Sequence, residues 1–150
     1  MPPYAELEVT TNFSFLRSAS HPAEMAKTAA ALGLSAVAVA DRNTLAGVVR
    51  AHQAAKQADI KLVVGARLDL QDAPSMLCFP TDRAAYGRLS KLITLGRRRA
   101  AKGECEIYLD DVFAHSGGQL FISLPPSDFD RDAEPEAKPA YSAHLHRLRE

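Results

Sequence analysis

The sequence predicts an α/β fold whose strands are mainly parallel, and three observations lead to this class. An uncharged apolar run from Ala36 to Ala40 ends at Asp41, which is typical of a strand buried on both faces. The 150 residues are 47% apolar, enough for one buried core. Strand patterns also alternate along the chain with helical patterns, at Pro22–Leu32, Thr44–Lys56 and Asp82–Arg99. Such alternation indicates a layered or barrel architecture.

The amino-terminal part predicts a strand followed by a helix. Tyr4–Thr10 alternates between apolar and polar residues, as a strand with one buried face does. The helix Pro22–Leu32 begins with proline, and its N-cap is Ser20 or His21. Gly33 is expected to end it.

The central segment joins the most apolar strand to a helix through a polar corner. Asp41 stands at the carboxyl end of that strand, which is where α/β folds place their chemistry. The helix Thr44–Lys56 follows, with Asn43 or Asp41 as the expected N-cap.

The carboxyl-terminal part predicts further strands and helices, and then a change in composition. Its elements are strands at Ile60–Val64 and Arg67–Leu70 (or one strand bent at Gly65), a strand at Pro74–Phe79, a helix from Asp82 to Arg99 capped by Thr81, a short helix at Leu109–Ala114 and a strand at Gln119–Leu124. Residues 1–124 are thus predicted to form one domain portion. Residues 125–139 are rich in proline and acidic residues and predict an exposed linker, and residues 140–150 predict the start of a truncated helix.

Composition excludes several classes of protein. Eighteen basic residues balance eighteen acidic ones, so the chain lacks the global positive charge of a whole-surface nucleic-acid binder. Cys78 and Cys105 form no CxxC pair and are expected to be reduced thiols. No signal sequence and no run of ~18 apolar residues is present, so we expect a soluble, cytoplasmic protein without membrane contact.

Four blocks of sequence, in this order, carry a resemblance to a known family. They read ELEVTTNFSFLRSASHP, AAALGLSAVAVADRNTLAGVVRAHQAAK, IKLVVGARLDL and AAYGRLSKLITLGRRRAAKGECEIYLDDV. They resemble the amino-terminal PHP (polymerase and histidinol phosphatase) domain of bacterial C-family DNA polymerases, most of all the error-prone, damage-inducible branch related to the polymerase III alpha subunit. The resemblance covers about residues 4–126.

The resemblance implies a partial, irregular (β/α) PHP-type barrel with a degenerate metal site. In many members His and carboxylate ligands hold zinc or manganese at the carboxyl ends of the strands, and some members hydrolyse phosphoesters, including 3′–5′ exonuclease proofreading. The positions that match the family's ligands here are Glu8, Thr10, Asp41, Arg42, Arg67 and Ser75.

Two of these positions argue against a bound metal. A fixed positive charge within ~4 Å of a dication is unfavourable by several kcal/mol in a poorly solvated site. We therefore expect Arg42 and Arg67 to form salt bridges with Asp41 and Glu8, leaving a vestigial, metal-free site.

One basic cluster is a candidate DNA contact. It consists of Arg97, Arg98, Arg99 and Lys102, at the end of a predicted helix. Stabilisation of the helix dipole is the favoured interpretation, and phosphate contact is the alternative.

Other polar and aromatic patterns are assigned to structure. His144 and His146 lie on a predicted helix, where side chains at i and i+2 diverge, so we expect two solvated histidines. Phe13 and Phe15 are expected to be buried under the edge of the barrel, with base stacking as the alternative.

The leading hypothesis is a PHP domain at the amino terminus of an error-prone, translesion DNA polymerase, acting as a structural scaffold without a cofactor. Polymerisation, with magnesium, would be performed by carboxylates outside these 150 residues. The expected partners are the remainder of the polymerase, DNA through that protein, and damage-response accessory proteins. The alternatives are a metal-dependent phosphoesterase or exonuclease of the same superfamily, and a module that recruits damage-response partners.

Because the family barrel is longer, we also expect the chain either to dimerise or to close its sheet differently.

Overall fold

The computed structural model describes residues 3–125 and 137–148. Its strands are β1 (Ala5–Val9), β2 (Ala36–Arg42), β3 (Lys61–Leu68), β4 (Met76–Pro80) and β5 (Gln119–Ser123). Its helices are α1 (Pro22–Ala31), α2 (Val48–Gln57), α3 (Arg83–Arg99), α4 (Leu109–Ala114) and α5 (Ala137–Arg147).

The strands form a five-stranded sheet in the order β1-β2-β3-β4-β5, curled into a half-barrel. β1, β2 and β3 pair in parallel, whereas β4 runs antiparallel to both β3 and β5. Strand β4 is therefore the one reversed strand of this sheet, and the prediction of a partial α/β barrel with mainly parallel strands is confirmed. The carboxyl ends of β1, β2, β3 and β5 and the amino end of β4 lie along the same side of the sheet. We call this row of strand ends the site edge.

The core consists of buried apolar side chains on both faces of the sheet, and the helices cover one of these faces. All of β2 is buried except Arg42, which is half-buried. Helix α3 packs Leu89, Leu92 and Ile93 against the strands, while small alanines bring α1 and α2 close to β2 and β3. Gly65 is needed for close packing, because a Cβ atom there would lie 2.5 Å from the Phe79 ring.

The starts of α2 and α3 differ from the sequence predictions. α2 begins at Val48, with Gly47 as its N-cap, and neither Asp41 nor Asn43 caps it. The Asp41 carboxylate accepts hydrogen bonds from another loop, and Asn43 adopts a left-handed φ of 49°. The N-cap of α3 is Asp82, whose side chain accepts from the Ala85 amide, and the prediction of Thr81 was wrong.

Two further predictions were resolved by the backbone. His21 caps α1, and Gly33 follows the helix with a positive φ of 71°, as expected. β3 is one continuous strand, so the alternative of two strands broken at Gly65 is wrong.

The carboxyl-terminal helix begins earlier than the sequence predicted. Residues 126–136 of the predicted linker lie outside the described residues, and α5 begins at Ala137, inside the predicted linker. His144 is buried, 7% exposed, with its ring stacked on Tyr141 at 6.2 Å between centroids, so the expectation that it is solvated was wrong. His146 is exposed, as expected. None of the helices in residues 3–125 and 137–148 is long and apolar enough to cross a membrane.

Candidate functional site

The site edge gathers most of the predicted metal-site residues. Arg42 is the last residue of β2, and it stands in register with Arg67 near the end of β3. Glu8 lies near the end of the neighbouring strand β1, and Ser75 directly precedes β4. The parallel strands therefore place these four side chains at one end of the sheet.

A carboxylate that the sequence did not single out joins these residues. Asp69 Oδ1 accepts hydrogen bonds from Arg67 Nε at 3.0 Å, from Ser75 Oγ at 2.8 Å and from Arg42 Nη2 at 3.2 Å. Arg42 Nε also approaches Asp69 Oδ2 to 2.7 Å, as an ion pair outside hydrogen-bonding geometry. Asp69 is thus the centre of the site.

These contacts hold Asp69 in its charged form. Burial raises the pKa of the Asp69 carboxyl, but the hydrogen bonds from Ser75, Arg42 and Arg67, together with the positive charge of Arg42, outweigh burial and leave the pKa below its ordinary value. The ionised carboxylate therefore lies between two guanidinium groups.

Arg67 also forms the predicted salt bridge to β1. Its Nη1 donates to Glu8 Oε1 at 2.9 Å, which confirms the expected pairing of Arg67 with Glu8. The expected pairing of Arg42 with Asp41 was wrong, because these consecutive residues of β2 point to opposite faces of the sheet, and Arg42 binds Asp69 instead. The side chains of Arg67 and Glu8 are 26% and 42% exposed, so solvent screens this contact.

Asp41 is held by the loop that follows β1. It is 1% exposed, and its Oδ1 accepts from the Thr11 amide at 2.8 Å and from Ser14 Oγ at 2.7 Å, while its Oδ2 accepts from Thr11 Oγ1 at 2.7 Å. Gly47 lies close by, since a Cβ atom there would be 2.9 Å from Asp41 Oδ2. These donors satisfy a buried carboxylate without arginine.

The residues missed by sequence reasoning are Thr11, Ser14, Asn43 and Asp69. Thr10 was predicted, but its neighbour Thr11 is the residue that reaches Asp41. The i, i+2 spacing of Arg67 and Asp69 at the end of β3 could have indicated the Asp69 contact, because it puts both side chains on one face. The loop contacts of Thr11 and Ser14 had no periodic signal.

Asn43 connects the site to helix α3. Its amide donates to the Arg67 carbonyl at 2.8 Å, and its side-chain oxygen accepts from the Asp69 amide at 3.0 Å. Its carbonyl accepts from Arg97 Nη2 at 2.9 Å and Arg97 Nε at 3.2 Å. The left-handed conformation of Asn43, which asparagine tolerates better than most residues, thus connects β2, β3 and α3.

The donor set of the site does not fit a divalent metal. In the described ranges, no group of three His, Cys, Asp or Glu side chains is arranged to hold a metal ion. Two guanidinium groups bind the carboxylates Glu8 and Asp69, and hydroxyl and amide donors bind Asp41. A dication here would have to displace these contacts against fixed positive charge.

The predicted basic cluster is divided by the structure. Arg97 donates to the Asn43 carbonyl, next to the site edge. Arg99 instead binds the Asp111 carboxylate at 2.7 Å and lies 5.3 Å from the centre of the Tyr108 ring. Arg98 and Lys102 are exposed. Two of the four side chains are therefore held by contacts within the chain.

The predicted loop aromatics also separate. Phe13 is half-buried, with the Arg50 guanidinium 5.6 Å from the centre of its ring, which agrees with the expected burial. Phe15 is 83% exposed, so its predicted burial was wrong.

An α/β half-barrel with its polar site at the strand ends defines the class of the protein. The profile of the PHP domain matches residues 6–137, and the chain therefore belongs to the PHP domain family. A structure described as a metal-dependent phosphoesterase from Bifidobacterium adolescentis superposes with a TM-score of 0.67 at 18% identity, covering 95% of this chain and 75% of that one. At this identity the likeness concerns the fold.

Curated relatives are similar at much higher identity. An error-prone DNA polymerase from Caulobacter vibrioides is 57% identical over 134 residues, which are 89% of this chain and 12% of the relative. Error-prone DNA polymerase 2 from Agrobacterium fabrum is also 57% identical, over 81% of this chain and 11% of the relative. The chain thus spans about an eighth or less of the length of these relatives.

Proposed function

We propose that this chain is the PHP domain of an error-prone DNA polymerase and acts there as a structural scaffold whose former metal site is closed by salt bridges. The observation that carries the proposal is the position of Asp69 between Arg42 and Arg67, 2.7 and 3.0 Å from the nearest guanidinium nitrogens. The similarity to error-prone polymerases over more than four fifths of the chain supports the assignment to that protein class.

The scaffold role follows from how these contacts join separate elements. Arg67 connects Asp69 to Glu8 of β1, and Arg42 ties the end of β2 to the same aspartate. In a metal-binding member, ligands from different strands would be joined through the metal, whereas here the salt bridges make that connection. A metal-dependent phosphoesterase is disfavoured because the same contacts occupy the carboxylates it would need.

Metal analysis tests the closed site. The chain is incubated with zinc or manganese, dialysed, and assayed for bound metal and for hydrolysis of bis(p-nitrophenyl) phosphate. We expect less than stoichiometric metal and no hydrolysis above the buffer rate. Stoichiometric metal after dialysis, or metal-dependent hydrolysis that Asp69→Asn abolishes, would overturn the proposal.

Nucleotide transfer is expected only of the whole polymerase. We expect the whole polymerase to transfer nucleotides past lesions with magnesium during DNA repair in the cytoplasm, and this chain alone to incorporate none. A primer-extension assay on damaged template, with the chain and the whole polymerase in parallel, tests this. Incorporation by the chain alone would contradict it.

We expect the PHP domain to pack against the remainder of the polymerase. As a separate chain, we expect it either to dimerise or to close its sheet differently from the longer barrel of the family. Light scattering at high concentration tests dimerisation, and a monomer would argue against it.

Pull-down with the whole polymerase, with and without residues 125–150, tests recruitment of damage-response partners.

A further inference from the structure

A cavity of about 350 Å³ opens beside the Arg42–Asp69 pair. Three guanidinium groups line it, from Arg17, Arg42 and Arg97, against the single carboxylate of Asp69. We call it the arginine pocket. Its charge is therefore the reverse of that in a site built to hold a metal cation.

The one acidic group of the arginine pocket is already neutralised. Asp69 accepts from Arg42, Arg67 and Ser75, so it does not offset the remaining positive charge. The Arg17 side chain is exposed and has no hydrogen-bond or ion-pair partner in residues 3–125 and 137–148. The pocket thus holds a cationic side chain without a protein counter-charge.

Unused hydrogen-bond donors accompany this charge. A guanidinium has five N–H donors, and Arg97 directs Nε and one Nη2 bond at the Asn43 carbonyl. Arg97 therefore keeps N–H groups that are available to a ligand, as does Arg17. Planar N–H forks of this kind match the oxygens of phosphate.

The rim adds an aromatic surface. Phe13 and Phe15 border the same cavity, and Phe15 is 83% exposed. An exposed aromatic ring beside guanidinium groups is the arrangement on which nucleic-acid bases stack while their phosphates bind the cations. A simple inorganic anion or a carboxylate would leave the ring unused.

We infer that the arginine pocket binds the phosphate group of a nucleotide unit, either in a single-stranded nucleic acid or as a free nucleotide, with the base on Phe15. This rests on the proposed function in one respect, because it requires the site to be free of metal. It goes beyond a scaffold role by giving the closed site a ligand.

Binding of a fluorescent single-stranded oligonucleotide, followed by anisotropy in EDTA, tests the inference. We expect Arg17→Gln to weaken binding about tenfold, since it removes one charge-assisted contact. The slope of log affinity against log salt should also fall by about one. Arg98→Gln is the matched control: it is an exposed arginine outside the pocket and should bind as the unchanged chain does.

Further arms identify the source of the phosphate and the role of the ring. Competition by deoxyadenosine monophosphate as well as by oligonucleotide indicates a free nucleotide, whereas competition by oligonucleotide alone indicates a strand; both support the inference. Phe15→Ala should weaken oligonucleotide binding and leave competition by inorganic phosphate unchanged. Arg97→Gln gives a second test of the pocket if Arg17→Gln unfolds the loop.

Three results would overturn the inference, two from the variants and one from the unchanged chain. The variant results are equal binding by Arg17→Gln and the unchanged chain, and an equal loss in Arg98→Gln, which would indicate diffuse attraction. Metal content is measured in the same sample before EDTA is added. A metal-free chain that does not bind refutes this inference alone, whereas stoichiometric metal refutes the proposed function whatever the binding result.

Discussion

Arg42 and Arg67 are register partners on neighbouring parallel strands, and both bind the same carboxylate of Asp69. Two like charges side by side on adjacent strands repel each other. Asp69 lies between them and forms an ion pair with each, which offsets their repulsion. Glu8 is a further partner of Arg67. The stability of the site edge should therefore depend more on Asp69 than on any other charge there.

Asp69→Asn tests this dependence. The substitution removes the negative charge and leaves two guanidinium groups facing each other. Because the Asp69 side chain is 30% exposed, solvent reduces the loss below that of a fully buried pair, and we expect the free energy of unfolding to fall by about 1–3 kcal/mol. Urea denaturation followed by circular dichroism measures it.

Glu104→Gln is the control for charge removal, because Glu104 is exposed and has no ion-pair partner in the described part of the chain. It should change the free energy of unfolding by less than about 0.5 kcal/mol. Equal effects of the two substitutions would mean that the Asp69 contacts add nothing specific.

Acid stability should depend on the same carboxylate. The pKa of Asp69 is held below its ordinary value of 3.8 in the folded chain. Its contribution is therefore fully present above 3.8, where the unfolded chain is also ionised, and is lost as the pH falls through the lower folded value. Urea denaturation across this range should show a shallower acid decline for Asp69→Asn than for the unchanged chain. Parallel declines would contradict the assignment.

The buried carboxylate at position 41 should matter through hydrogen bonding. In Asp41→Asn, one side-chain oxygen becomes an NH₂ group facing the Thr11 and Ser14 donors. We expect a loss of about 1–3 kcal/mol in the free energy of unfolding. Faster hydrogen exchange at the Thr11 amide should accompany it. Asp110→Asn, at an exposed position, is the control, and unchanged exchange at Thr11 would refute the role of Asp41.

Much of the fold could be predicted from the sequence, because local patterns determine it. The apolar run of β2, the proline start of α1 and the glycine after α1 each have a direct physical signal, and each was confirmed. The pairing of Arg67 with Glu8 was expected from the family resemblance, which matched both positions to ligands of one metal site, and it was confirmed.

The pairing of Arg42 with Asp41 is excluded by the alternation of side chains along β2, because consecutive strand residues face opposite sides of the sheet. The contacts that Asp41 makes instead, with Thr11 and Ser14 of a loop about thirty residues away, depend on distances that periodicity does not encode. The predicted N-cap of α2 was wrong because both candidate side chains have other partners. Asp41 accepts from Thr11, and Asn43 accepts from the Asp69 amide. Burial of His144 likewise depends on where α5 packs.

Two glycines of α3 give a matched test of its packing. Gly96 faces the chain at Ile107, where an added Cβ atom would lie 2.5 Å from Ile107 Cγ1 and 3.1 Å from the Glu106 carbonyl oxygen. Gly87, in the same helix, has nothing within 4 Å of such an atom. Alanine is preferred over glycine inside helices by about 0.8–1 kcal/mol, and overpacking is unfavourable by about 1–3 kcal/mol. We therefore expect Gly87→Ala to raise the melting temperature and Gly96→Ala to lower it. Two shifts of the same sign would show that α3 does not pack against residues 105–107 as described.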